Sequence, residues 1–122
     1  MCVLLVEDDH ALRVVMADIL RQAGYDIVET DNGLDALDLL ASHPIDVLIT
    51  DVEMPGMDGL RLLGEVKRRF PAVAVVVISG RFSHASVAQQ LGAACYLSKP
   101  CSRWQLLTAV QTTLRQAVTA VS

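Results

Sequence analysis

Short apolar runs alternate with longer amphipathic stretches along the whole chain. The runs are Cys2–Val6, Ile27-Val28, Val47–Ile49, Val73–Ile78 and Cys95–Leu97, each too short for a buried helix. Between them lie segments with helical spacing. Leu12, Val15, Met16, Ile19 and Leu20 form one stripe, ended by Gly24 as a C′ residue. Leu34, Leu37, Leu39 and Leu40 form a second, closed by Pro44. Leu60, Leu62, Leu63, Val66 and Phe70 make a third, stopped at Pro71. A fourth, shorter helix is expected over Ser83–Leu91 and is broken by Gly92. Ser102 then caps a last helix carrying Trp104, Leu107, Val110, Leu114 and Val118.

Repeated strand–helix units with apolar strands predict an α/β fold, a parallel sheet covered by helices on both faces. Right-handed crossovers leave few topologies, and the doubly wound, flavodoxin-like (βα)5 order 2-1-3-4-5 is the natural one. Ligands of such sheets bind outside the carboxyl ends of the strands, where the winding reverses between strands 1 and 3.

Four strands stop at distinctive polar residues on that edge. The first runs into Glu7-Asp8-Asp9, the third into Asp51, the fourth into Ser79, the fifth into Ser98-Lys99-Pro100. Each has a bland reading: Asp9 an N-cap, Asp51 the start of a turn, Ser79 a strand end, Lys99 a solvated cation. Their joint placement favours chemistry. Carboxylates drawn together repel one another unless a cation joins them, and oxygen-only ligands suit a hard ion such as Mg²⁺. A lysine and a hydroxyl beside one carboxylate describe a site that lets Asp51 attack phosphorus and stabilises the acyl phosphate formed.

Composition narrows the partners. The 122 residues carry a formal charge of −4, so they offer no electrostatic footprint for nucleic acid or an anionic membrane. The densest basic run, Lys67-Arg68-Arg69, falls at a helix end, where cations suit the macrodipole. The longest apolar stretches are far short of a membrane span, and an acidic triplet follows Met1–Val6 where a signal peptide would have a cleavage site. Cys2, Cys95 and Cys101 have no metal or C-x-x-C spacing and fit a reducing, cytoplasmic compartment. The length is that of one domain, residues 1–122, with no linker or repeat.

VLLVEDD (3–9), DVEMPGMDG (51–59), VVVISG (75–80) and YLSKP (96–100) together resemble, in order and at ordinary intervals, the signatures of the response-regulator receiver family. The resemblance implies that Asp51 is the phosphoacceptor and a metal ligand, with Glu53 offering its backbone carbonyl. It makes two of the three leading acids the metal-binding pair. Glu7 and Asp8 are taken because they follow the apolar run at once, which leaves Asp9 for the helix. Lys99 matches the ion-pairing lysine, Ser79 the hydroxyl that moves onto the phosphoryl group, and Tyr96 the aromatic switch. Ser for the commoner Thr at 79, with Gly80 next, is a departure expected to loosen the coupling. The family also turns the chain at Lys99-Pro100 with a cis peptide.

The implied partners are a histidine kinase or phosphotransfer protein as donor, and a downstream protein or domain on the face of helix 4, strand 5 and helix 5. The implied role is signalling rather than enzymatic turnover. Helix 4 has no Asp, Glu, Lys or Arg, and Ala93-Ala94-Cys95 precede Tyr96, so the charged ladder of the family's transcription-factor dimers is not expected. Two other readings stay open. One is the regulatory half of a larger response regulator or hybrid kinase, although no helix-turn-helix follows Val121-Ser122. The other is a Mg²⁺-dependent aspartyl-phosphate phosphohydrolase with Glu53 as acid–base, for which the chain lacks room for a cap.

Among the remaining residues, His10, His43 and His84 read as surface or loop histidines. Met54 and Met57 fit packing or kinase contact equally. Trp104 reads first as core, with an alternative in which part of it lies on the output face as an anchor for a partner. Glu53 and Arg81, each two residues past a site residue, are expected to meet across the site.

Overall fold

A computed structural model describes residues 1–81 and 83–121, and side chains as far as Gln116. The elements are β1 (Cys2–Val6), α1 (His10–Gln22), β2 (Asp26–Thr30), α2 (Gly33–Ser42), β3 (Val47–Asp51), α3 (Gly59–Arg69), β4 (Ala74–Ser79), α4 (His84–Gln90), β5 (Cys95–Ser98) and α5 (Arg103–Val121). The strands form one parallel sheet in the order β2-β1-β3-β4-β5. The doubly wound topology read from the alternating runs is therefore the one observed.

Strand geometry divides the core in two, because successive side chains point to opposite faces. Leu4, Val6, Leu48, Val75 and Val77 pack under α2, α3 and α4 with Leu37, Leu62, Leu63 and Ala88. Val3, Leu5, Val47, Ile49, Val76 and Ile78 pack under α1 and α5 with Met16, Leu20, Leu106 and Val110. Each large aliphatic side chain buried this way contributes roughly 1.5–3 kcal/mol.

Helix starts are set by side-chain caps. Asp9 accepts from the Leu12 N–H at 3.0 Å, Asn32 from Asp35 at 2.8 Å and Asp58 from Arg61 at 2.9 Å. Ser102 accepts from Gln105 at 3.1 Å while Gln105 Oε1 accepts the Ser102 N–H at 2.8 Å, a reciprocal capping box. At the other end of α1, Gly24 takes φ +98°, a conformation that would strain a side chain, and turns the chain into β2. The basic run Lys67-Arg68-Arg69 does lie in the last turn of α3.

Three expectations about the helices need correction. Among the described residues α5 buries Leu106, Ala109, Val110, Thr113 and Leu114, so Val110 and Leu114 of the inferred stripe are core and Leu107 packs half-buried beside them. Trp104 is 77% exposed and not core, and the Val118 side chain lies outside the described residues. In α2 and α1, Leu34 and Val15 are 66% and 55% exposed, and Ala36 and Ala17 take the buried places. Helix α4 begins at His84, with Ser83 at the cap position making no side-chain cap bond.

Candidate functional site

The carboxyl ends of β1, β3, β4 and β5 bring together the residues singled out above. Asp51 ends β3, buried, opposite Ile78 in register, and Val52 N–H continues the ladder to the Ile78 carbonyl at 3.0 Å. Glu7 follows β1, only 2% exposed, its N–H held by the Thr30 carbonyl at 3.2 Å. Lys99 arrives after β5 and donates to Glu7 Oε1 and Asp51 Oδ2, both at 2.9 Å. The Lys99–Pro100 peptide is cis, as the resemblance implied.

Asp8 completes the group, exposed where the other two are buried. One carboxylate oxygen from each of Glu7, Asp8 and Asp51 lies within 4.8 Å of the others. Asp51 Oδ1 also takes the Glu53 N–H at 3.3 Å, so both of its oxygens are held. Asp9 stands apart as the cap of α1, although its N–H reaches Glu7 Oε2 at 3.3 Å.

Electrostatics in this cluster pull both ways. Burial is the main force pushing the Glu7 carboxyl up to about 7, the Asp51 charge adds to it, and the Lys99 hydrogen bond opposes both. For Lys99, partial burial favours loss of its proton, but the hydrogen bonds and charges of Glu7 and Asp51 outweigh this and hold the ammonium more firmly than usual. The same contact thus stabilises the lysine's charge yet fails to keep Glu7 in the ordinary carboxylate range. The buried position and the second acid decide the balance for Glu7.

Close backbone packing supports Asp51 from below. Gly59, the first residue of α3, donates its N–H to the Val52 carbonyl at 2.9 Å. A methyl group there would overlap the Asp51 carbonyl oxygen and lie 2.8 Å from both the Asp51 carbonyl carbon and Val52 Cα. Met54 is buried in the core, and Met57 is half-buried against it with the rest of its side chain open to solvent.

Ser79 ends β4, fully buried, with its Oγ 2.8 Å from His84 Nδ1 and accepting the Arg81 N–H at 3.0 Å. Tyr96, half-buried on β5, donates its hydroxyl to the Arg81 carbonyl at 2.6 Å. Arg81 Nε meets Glu53 Oε1 at 3.5 Å, so the expected pair forms, with side chains 69% and 49% exposed.

Two participants were missed in the sequence. His84 is no plain surface histidine but the partner of Ser79, and neither spacing nor motif marks it. Arg13 donates to the Glu7 carbonyl at 2.7 Å and pairs with Glu29 at 3.5 Å, tying down the acidic loop. Its only signal was a position one turn into the helix after the acidic triplet. His10 and His43 are exposed, as expected.

A parallel sheet in this order, with a lysine bound between two buried carboxylates at the strand ends, defines a recognisable class. Residues 3–111 match the family model described as response regulator receiver domain, and the chain belongs to that family. It is 43% identical over 110 residues to the response regulator protein FleR of Pseudomonas aeruginosa, covering 88% of this chain and 23% of FleR. The chain thus spans about a quarter of that relative. Among solved structures, a CheY-like receiver domain protein from Methanospirillum hungatei superposes with a TM-score of 0.92 at 21% identity, covering 98% of this chain and 97% of that one. The response regulator TrrA of Thermotoga maritima, solved with Mg²⁺ and BeF, gives 0.86 at 27% identity, covering 92% and 97%. Receiver domains of response regulators are signalling domains of two-component systems.

Proposed function

We propose that the chain accepts a phosphoryl group on Asp51 from the phosphohistidine of a histidine kinase or phosphotransfer protein. The reading is carried by one observation: Lys99 binds Asp51 and Glu7 at 2.9 Å each, with the Asp8 carboxylate close by. An Asp51 oxygen attacks phosphorus, the phosphorus–nitrogen bond breaks, and the departing imidazole leaves with the electron pair and takes up a proton. The product is an acyl phosphate beside the fixed positive charge of Lys99. Exposure of phosphate-free protein to acetyl phosphate and magnesium, followed by intact-mass analysis, tests this. One alkali-labile phosphoryl group supports the proposal, and none sinks it.

The donor set fits a hard cation. Glu7, Asp8 and Asp51 offer only carboxylate oxygens, to which the Glu53 backbone carbonyl is added on the family pattern. A bound Mg²⁺ supplies positive charge that offsets the clustered acids and the incoming phosphoryl oxygens. Because the Glu7 carboxyl is pushed up to about 7, protons compete for this site. Magnesium affinity is expected to fall up to ~10-fold per pH unit below that value and to level off above it. Calorimetric titration between acid and mildly alkaline pH checks this; a flat profile contradicts it. Without metal the sign for stability is the reverse of the usual acidic group. The folded state binds this proton more tightly than the unfolded chain, so its contribution declines as pH rises from 4.5 to about 7.

Ser79 and Tyr96 act as the switch, following the phosphoryl group and shifting the face of α4, β5 and α5 toward a second state. That face carries exposed Val87 and Leu91, α4 has no charged residue, and Trp104 is exposed on α5, which suits a protein or domain as the downstream partner. Its character gives no support to direct nucleic-acid binding. No helix among the described residues is long and apolar enough to cross a membrane, and a cytoplasmic site of action accords with the free cysteines. Output by binding sets the protein apart from an enzyme. The phosphohydrolase alternative needs Glu53 as its acid–base, and an assay for turnover of simple phosphate esters separates it from the reading above.

The same Glu53–Arg81 pair is proposed to restrict the attacking water. Arg81→Ala is expected to shorten the lifetime of the phosphorylated form by no more than about fivefold, since an exposed pair is worth ~0–1 kcal/mol. Following loss of the phosphoryl group over time in both proteins decides it, and identical lifetimes remove the pair from the mechanism.

A further inference from the structure

The hydroxyl of Ser79 has one proton to give, and the surrounding bonds determine where it goes. The Arg81 carbonyl is the first candidate acceptor, but its two lone pairs are taken by the Tyr96 hydroxyl at 2.6 Å and the His84 backbone N–H at 3.1 Å. Its oxygen is 3.5 Å from Ser79 Oγ, too far for a useful third bond. His84 Nδ1 is 2.8 Å away. Ser79 Oγ meanwhile accepts the Arg81 N–H at 3.0 Å. The shortest bond open to the Ser79 proton is thus the one to His84 Nδ1, an assignment that takes the imidazole as the Nε2–H tautomer.

We propose that His84 is a positioning residue for the switch: it holds the Ser79 hydroxyl in the resting state by accepting the proton that a phosphoryl oxygen would otherwise receive. This rests on the reading of Asp51 as phosphoacceptor and of Ser79 as the hydroxyl that moves to it. The two acceptors exclude one another, because a serine hydroxyl donates once. Exchange of the Ser79 bond from Nδ1 to the phosphoryl oxygen frees the side chain of the first residue of α4. The backbone of that residue shares the Arg81 carbonyl with Tyr96, so one residue links the serine, the tyrosine and the start of the helix.

Removing the acceptor leaves the resting Ser79 hydroxyl without its partner and costs the active state nothing. His84→Leu is therefore expected to bind beryllofluoride, with magnesium present, about 2- to 10-fold more tightly than the parent, the worth of one neutral hydrogen bond. His84→Asn, whose Oδ1 occupies the place of Nδ1, is expected to restore affinity close to the parent's. In the parent itself, long-range proton–nitrogen spectra should show the His84 Nδ1 signal move on beryllofluoride binding, while exposed His43 at the end of α2 stays put. Equal or weaker binding by His84→Leu, or an unmoved Nδ1 signal in a parent that binds beryllofluoride, overturns the inference alone. A parent that neither binds beryllofluoride nor accepts a phosphoryl group overturns the acceptor reading along with it.

Discussion

Asp51→Asn is expected to abolish phosphoryl uptake from acetyl phosphate while leaving the chain folded. The amide keeps the size of the carboxylate but offers no anionic oxygen to attack phosphorus. Folding survives because Lys99 retains Glu7 as a partner, so neither buried charge is abandoned. The substitution also removes the Asp51 charge that helps push the Glu7 carboxyl up, so Glu7 should move back toward the usual range. Intact-mass analysis of the treated variant checks the first expectation, and circular dichroism the second. Persistent labelling of Asp51→Asn would place the acceptor elsewhere.

The second large effect is structural. Gly59→Ala forces a methyl group onto the backbone of Asp51 and Val52, where no flexible side chain can yield. The start of α3 or the end of β3 must shift, at a cost of about 3 kcal/mol, which lowers the Tm by about 10–15 °C. Gly64 in the same helix is the control, since nothing lies within 4 Å of an added Cβ there. Gly64→Ala should be neutral or stabilising by up to ~1 kcal/mol, because alanine suits a helix interior better than glycine. Equal melting temperatures for the two variants would show that the contact with Asp51 relaxes freely.

The sheet was legible because its signal is long-range only in appearance. Each strand announces itself by a local apolar run, and handedness rules then leave little freedom in order. Strand ends were legible for the same reason, and with them Glu7, Asp51, Ser79 and Lys99. Helix faces were less so. In α5 the inferred stripe holds at Val110 and Leu114, but with Leu106 and Leu107 both apolar the sequence does not choose between them, and tertiary packing puts Leu106 fully inside and Leu107 at its edge. Trp104 and Leu34 show the related error, in which a large apolar residue is taken for core although folded surfaces commonly carry such residues. His84 escaped because its role depends on a tertiary contact with Ser79, for which a histidine five residues later carries no periodic or motif signature.

Helix α4 stands out for how little it is fastened. Among the described residues it buries only Ala88, whereas α3 buries Leu62, Leu63 and Val66. One methyl contributes about 1 kcal/mol, against several for the α3 side chains. The helix has no side-chain cap at its start, and Val87 and Leu91 face outward. By its buried side chains α4 is the most lightly held panel among the described helices. It is the element expected to yield first to a change worth a hydrogen bond or two. A small chemical event at the strand ends can therefore do work on this panel without straining the rest.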